Sequence, residues 1–92
     1  MRFTWDERKN QKNIKKHKIS FAQAIHVFFD PIRKESYDEK HSNSEEERII
    51  VIGFAEICLL FVSFTEPEPE TIHIISARKA TKNERRRYYG DG

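Results

Sequence analysis

Residues 48–77 read "RIIVIGFAEICLLFVSFTEPEPETIHIISA", and how this stretch folds decides the architecture. Behind Arg48 come four β-branched residues in succession, too few for a stable helix and too apolar for a loop. Such a run predicts a strand buried on both faces. Gly53 is expected to open a short turn, with residues 57–64 returning as the antiparallel partner. "TEPEPE" is expected to interrupt, because proline cannot donate to a strand ladder. Residues 71–77 then predict another strand. Apolar side chains on both faces of these strands demand cover on both, which helices stacked on a sheet provide.

Working outward, residues 33–37 suit a polar edge strand, and the polar segment after them suits a loop. Phe3, Thr4 and Trp5 make a short extended start. Asp6 is a good helix N-cap. The helix it opens carries one aliphatic residue, Ile14, so Trp5 is the expected anchor; Lys9, Lys12 and Lys16 share one face. Ser20 with Gln23 forms a capping-box pattern, and Phe21, Ala24, Ile25 and Phe28 recur at helical spacing up to the Asp30-Pro31 stop. Thr81 with Glu84 opens a last short helix ending by Gly90. The expectation is one α+β domain over residues 1–92. It comprises an antiparallel sheet of about four strands, two N-terminal helices and one C-terminal helix.

Composition narrows the function. The chain has 92 residues, 37% hydrophobic and 35% charged, enough for one modest core. The single cysteine, Cys58, cannot form an internal disulfide, which suits a reducing cytoplasm. The N-terminus turns polar at once, unlike a signal peptide, and the longest apolar stretch, residues 49–64, carries Glu56 and falls short of the roughly 20 residues that span a bilayer. No membrane association is expected. Charge is distributed unevenly. Residues 1–34 hold nine Lys and Arg against three Asp and Glu, residues 35–75 two against ten, and residues 76–92 six against two. Two basic ends thus flank an acidic middle, and ends that meet in space would attract a polyanion.

Several chemistries lack their residues. The three glycines, Gly53, Gly90 and Gly92, make no phosphate-cradling loop, and one cysteine excludes cysteine-ligated zinc. His17, His26, His41 and His73 lack metal-ligand spacing, so neither metal nor cofactor is expected. What remains is cationic and aromatic: Arg48, Arg78, Arg85, Arg86, Arg87, Tyr88 and Tyr89, with the lysines of the first helix. Guanidinium forks match phosphate oxygens. Arg48 and Arg78 stand where strands begin and end, so a firm backbone holds them. Arg48 is equally readable as an ion-pair partner of the preceding glutamates. His17 is a candidate proton acceptor, although a residue at a helix end commonly just packs.

Taken in order, "FTWDERKNQKNIKKHKISFAQAIHVFFDP", "EEERIIVIG" and "IISARKATKNERRRYY" closely resemble the BrnT family of toxin–antitoxin systems, over nearly the whole chain. The resemblance implies a RelE-like α+β endoribonuclease of the bacterial cytoplasm. It would be held in check by a BrnA-like antitoxin, through which alone it meets operator DNA. It further implies metal-free cleavage of RNA, in which the ribose 2′-hydroxyl attacks the adjacent phosphate and the 5′-oxygen leaves. Arg48 and Arg78 would then stabilise charge, His17 or Tyr88 would handle protons, and Lys15, Lys16, Arg85 and Arg86 would hold the RNA backbone. Two departures stand out. Lys18 takes a turn position where the family has glycine, and "TEPEPE" replaces a basic, glycine-containing turn. An acidic loop beside a phosphate site would repel RNA, so the alternative is a weak or inactive homologue that acts as an antitoxin-binding co-repressor.

Overall fold

The computed structural model describes residues 1–90. Five strands, β1 (Arg2–Trp5), β2 (Lys34–Tyr37), β3 (Arg48–Ala55), β4 (Cys58–Glu68) and β5 (Thr71–Lys79), form one sheet in the order β1-β5-β4-β3-β2. The helices are α1 (Glu7–His17), α2 (Phe21–Ala24), which tightens into a 3₁₀ helix (Ile25–Phe29), and α3 (Lys82–Tyr88). The α+β class and the three-helix plan agree with expectation. The sheet is larger than the four antiparallel strands anticipated, because the extended start joins it as β1, parallel to β5. That pairing is long-range, and nothing local announces it.

Three further differences have physical causes. The turn between β3 and β4 falls at Glu56 and Ile57, with Ala55 paired to Cys58, so Gly53 lies inside the strand. A Cβ there would meet the Val27 carbonyl oxygen at 3.1 Å, so glycine serves the close approach of the 3₁₀ helix. β4 runs on through Pro67 to Glu68, because β3 has its last partner at Thr65 and the β5 ladder is irregular between Thr65 and Glu68. No ladder bond is needed where the proline stands. The second helix divides, α2 giving way to 3₁₀ geometry before Asp30.

Each face of the sheet has its own cover. On one, Phe21, Ala24, Val27 and Phe28 pack on Val51, Leu60, Val62, Phe64, Ile72 and Ile74. Fully burying each large apolar side chain contributes roughly 1.5–3 kcal/mol. On the other, Tyr88 of α3 packs with Ile52 and Leu59, beside Ile50, Phe54 and Phe61. The caps behave as read: Asp6 accepts from the amides of Arg8 and Lys9, Ser20 from Gln23, and Thr81 with Glu84 closes a capping box.

Trp5 packs edge-on against Phe21, but α1 is anchored mainly by two asparagines that apolar periodicity does not reveal. The Asn10 side-chain oxygen accepts from the Phe21 amide at 2.8 Å. Asn13 donates to the carbonyls of Ile19 and Ala77, both at 2.8 Å, and accepts from the Ala77 amide at 3.2 Å. β1 pairs with β5 only as far as Ile74, so the edge of β5 is bare beyond it. The Asn13 amide fills that place as a neighbouring strand's peptide group would, and so fixes α1 alongside the edge.

Candidate RNA-facing site

Strand registers sort the side chains of the α3 face into three rows crossing the sheet. The first is Lys34–Ile52–Phe61–Arg78, the second Ser36–Ile50–Ser63–Ser76, and the third Arg48–Thr65–His73–Thr4. Paired residues share a face and alternate residues return to it, so all three rows are on one side. A register shift between Ser63 and Phe64 makes room for Ile75, which keeps Ser76 and Arg78 in line with β4.

Arg78 is held from three sides. Its terminal nitrogens donate to the two carboxylate oxygens of Glu84, each at 2.8 Å, and one also donates to the Lys79 carbonyl. The guanidinium lies 4.1 Å from the centre of the Phe61 ring. Hydrogen bonding to Glu84 raises the arginine's pKa against the effect of burial. Burial pushes the Glu84 carboxyl upward, but the Arg78 guanidinium and the Thr81 amide outweigh it and hold the group below the usual carboxylate range. Glu84 escaped the sequence reading as a site residue, although its place in the capping box was the signal.

Beside Ser76, a groove of about 310 Å³ is lined by Lys9, Lys12, Asn13, Lys16, His17 and Ile75. The lysine face foreseen on α1 is therefore the wall of this groove, and His17 joins it. Lys15 is exposed and does not line it. On the helical wheel it faces nearly opposite the buried Asn13, away from the sheet. Ser76 and Arg78 are two residues apart on the same face, about 7 Å, so groove and guanidinium are neighbours.

Arg48 occupies the far row. Thr65 is its partner in β4, and Phe61 is that of Arg78. Four residues along the strands, roughly 13 Å, and two strands across, roughly 10 Å, separate the arginines. Each also has its own carboxylate, since Glu46 approaches Arg48 Nε at 3.6 Å. The pair does not converge. Arg48 Nε is buried without a hydrogen-bond partner, alone in this among the side chains of the described residues.

Tyr88, a candidate for proton handling, is only 3% exposed, and its hydroxyl donates to Asp30 Oδ2 at 2.6 Å. Burial, then this bond to a carboxylate, push the phenol up to about 12. Burial also pushes Asp30 upward, but the Phe54 amide, the Tyr88 hydroxyl and the Ile32 amide together hold it below the ordinary range. Tyr88 thus fastens α3 to the chain on the opposite face, where proton transfer to a substrate has no access. Among the three consecutive arginines, Arg87 reaches the sheet, its Nη2 donating to Ser36 Oγ at 3.2 Å. Arg85 and Arg86 are exposed, and Arg86 lies nearly opposite the buried Tyr88 on the helix.

The acidic hairpin lies elsewhere. Glu66 and Glu70 line a groove on the face opposite α3 with Phe28, Phe64 and Ile72. Glu70 precedes Arg78 by eight residues, roughly 26 Å of extended strand. Screening acts over about 8 Å at physiological salt. The repulsion anticipated from "EPEPE" does not reach the Arg78 end. No group of three or more metal-ligating side chains occurs among the described residues, and none of their helices is long and apolar enough to cross a membrane.

A family model described as the ribonuclease toxin BrnT of type II toxin–antitoxin systems matches residues 5–84. The crystal structure of the Brucella abortus ribonuclease toxin BrnT superposes with a TM-score of 0.70 at 30% identity, covering 89% of this chain and 99% of that one. No curated protein sequence matches significantly.

Proposed function

The chain belongs to the BrnT family of ribonuclease toxins of type II toxin–antitoxin systems, and from that premise we propose a metal-independent endoribonuclease worked from the Arg78 end of the sheet. The observation that carries the proposal is the meeting of His17, Lys16, Lys12 and Lys9 with Ser76 in one groove, a residue pair away from Arg78. The substrate's 2′-hydroxyl attacks the adjacent phosphorus, its proton passes to His17, and the bond from phosphorus to the 5′-oxygen breaks. The 5′-oxygen takes up a proton from solvent, and the products are a 2′,3′-cyclic phosphate and a 5′-hydroxyl. Lys16 and Arg78 offset the negative charge that builds on the phosphorane. Arg48, on the far row, contacts the chain away from the bond that breaks.

A type II toxin implies an antitoxin, and we take it to be BrnA-like, acting in the cytoplasm and carrying any contact with operator DNA. Expression in a bacterial host should arrest growth, with relief by the co-expressed antitoxin. The purified protein should cleave RNA in the presence of EDTA and leave cyclic-phosphate ends. His17→Ala and Arg78→Lys proteins with wild-type melting temperatures should lose at least ten-fold in rate. If the wild-type protein leaves RNA intact yet binds its antitoxin, the co-repressor alternative takes its place.

A further inference from the structure

The middle row of the α3 face has a composition unlike its neighbours. Three of its four members are serines, Ser36, Ser63 and Ser76, and the fourth, Ile50, is half-buried. The row carries no charge and three of its side chains are short, so it lies low, a trough between taller rows, with Ser36 and Ser76 part-exposed and Ser63 buried at 7% exposure. One wall is the Arg78 row with α3 lying across it. Just before α3 the Ala80 amide donates to the Leu59 carbonyl, and the helix ends near β2, where Arg87 meets Ser36. The other wall carries Arg48, Thr65 and His73.

Both ends of the trough are cationic. Ser76 opens into the groove of Lys9, Lys12, Lys16 and His17. At the other end, Arg87 holds the Ser36 hydroxyl, and Lys34 stands two residues along β2 on the same face. Three strand spacings, about 14 Å, separate the two ends. Glu84 is paired with Arg78 and the Thr81 amide, Asp38 with His41, and Glu46 with Arg48, while Glu45, Glu47 and Glu66 line a groove with Thr65 at the far wall.

We propose that a single strand of RNA lies across the β-strands along the Ser76–Ser63–Ile50–Ser36 row, with Arg87 and Lys34 forming a second phosphate-binding point at the β2 edge. The proposal rests on the ribonuclease reading and adds the course of the substrate beyond the bond that is cut. Serine hydroxyls both donate and accept, so Ser36 and Ser76, the part-exposed serines of the row, suit sugar and base edges while the cations at either end take phosphates. α3 walls one side of the trough for about 10 Å, which favours a single strand over a duplex. A strand running along β5 instead would head towards the acidic hairpin.

The test uses the whole protein and a short 2′-O-methyl oligoribonucleotide, which binds but lacks the attacking hydroxyl. Fluorescence anisotropy is followed across a salt series, and cleavage of the unmodified RNA is measured in parallel. Arg87→Glu with Lys34→Glu should weaken binding ten-fold or more and flatten the salt slope by about 1.4, at about 0.7 per phosphate contact on a single strand. Lys40→Glu, a single lysine-to-glutamate exchange in the loop after β2, should leave both unchanged. If the double variant binds as wild type does while Lys12→Glu weakens binding, the cross-strand path is overturned and the ribonuclease reading stands. If the double variant loses binding but wild type cleaves nothing, the path stands and the ribonuclease reading falls. A wild-type protein that neither binds nor cleaves overturns both.

Discussion

Replacing Asn13 by alanine tests whether one amide holds the basic helix to the sheet. The side chain makes three buried hydrogen bonds, to the Ile19 carbonyl and to both backbone groups of Ala77. Each contributes about 1 kcal/mol net, and a group left buried without a partner costs about 1–3 kcal/mol. Water reaches some of the freed edge, so the expected loss is roughly 2–4 kcal/mol, a large share of the roughly 5–15 kcal/mol that holds a domain together. For a chain of this size that lowers the melting temperature by about 10–25 °C. Asn13→Asp should be worse than alanine: it keeps an acceptor for the Ala77 amide but turns a carboxylate oxygen towards two carbonyls. Lys12→Ala, one residue away and exposed, should fall within about 0.5 kcal/mol of wild type. Thermal melts followed by circular dichroism decide the matter. A melting temperature for Asn13→Ala within about 3 °C of wild type would show that the β5 edge is satisfied without the asparagine, and the account of α1 would fail.

Three more outcomes are expected. Glu84→Gln removes the countercharge from Arg78, so RNA affinity at low salt should rise several-fold even as stability falls; unchanged affinity would mean that Arg78 serves only to fasten α3. Because folding raises the Tyr88 phenol to about 12 from the ordinary value near 10, the folded state binds the extra proton between those values. Stability that is intact below pH 10 should therefore decline as pH rises towards 12, and urea midpoints across that window should show a shallower decline for Tyr88→Phe. Lys18 and Glu70 both adopt left-handed backbone, at φ 63° each; glycine relieves about 1 kcal/mol at such positions, so Lys18→Gly and Glu70→Gly should each raise the urea midpoint, and lowered midpoints would refute the strain.

Local signals in the sequence were reliable here because the interactions behind them are local. Asp6, Ser20 and Thr81 cap helices through amides two or three residues away. The Lys9–Lys12–Lys16 face depends only on helical spacing. The β1–β5 pairing joins residues 69 apart, and Asn13 meets Ala77 across 64, so neither leaves a mark in any window of sequence. Apolar periodicity also passes over an anchor made of two asparagines. At the site, Arg78 was legible as a strand-end cation, but its partner row was not. Which side chains share a face with it depends on the shift at Ile75, one residue of slippage that no propensity fixes. Arg87 reads the same as Arg85 and Arg86 until α3 is laid across the sheet.

The motifs behind the family resemblance now divide into two kinds of work. Asp30 and Tyr88, 58 residues apart, meet in one hydrogen bond, and Arg78, Thr81 and Glu84 meet in another cluster. Both clusters fasten the same short helix, one at each end. A seven-residue helix has little stability of its own, so these contacts are what keep it lying across the sheet. In doing so they build one wall of the serine trough and fix the Arg78 guanidinium within it. The uneven charge of the chain follows the same division. Basic α1 closes on the β5 edge of the α3 face and basic α3 runs across that face to β2, while the acidic middle lines grooves at the far end of the strands and on the opposite face. Separation in space is what keeps "EPEPE" away from the lysine groove and Arg78 in so small a protein. The acidic hairpin therefore leaves the case for RNA at Arg78 where the groove and the guanidinium put it.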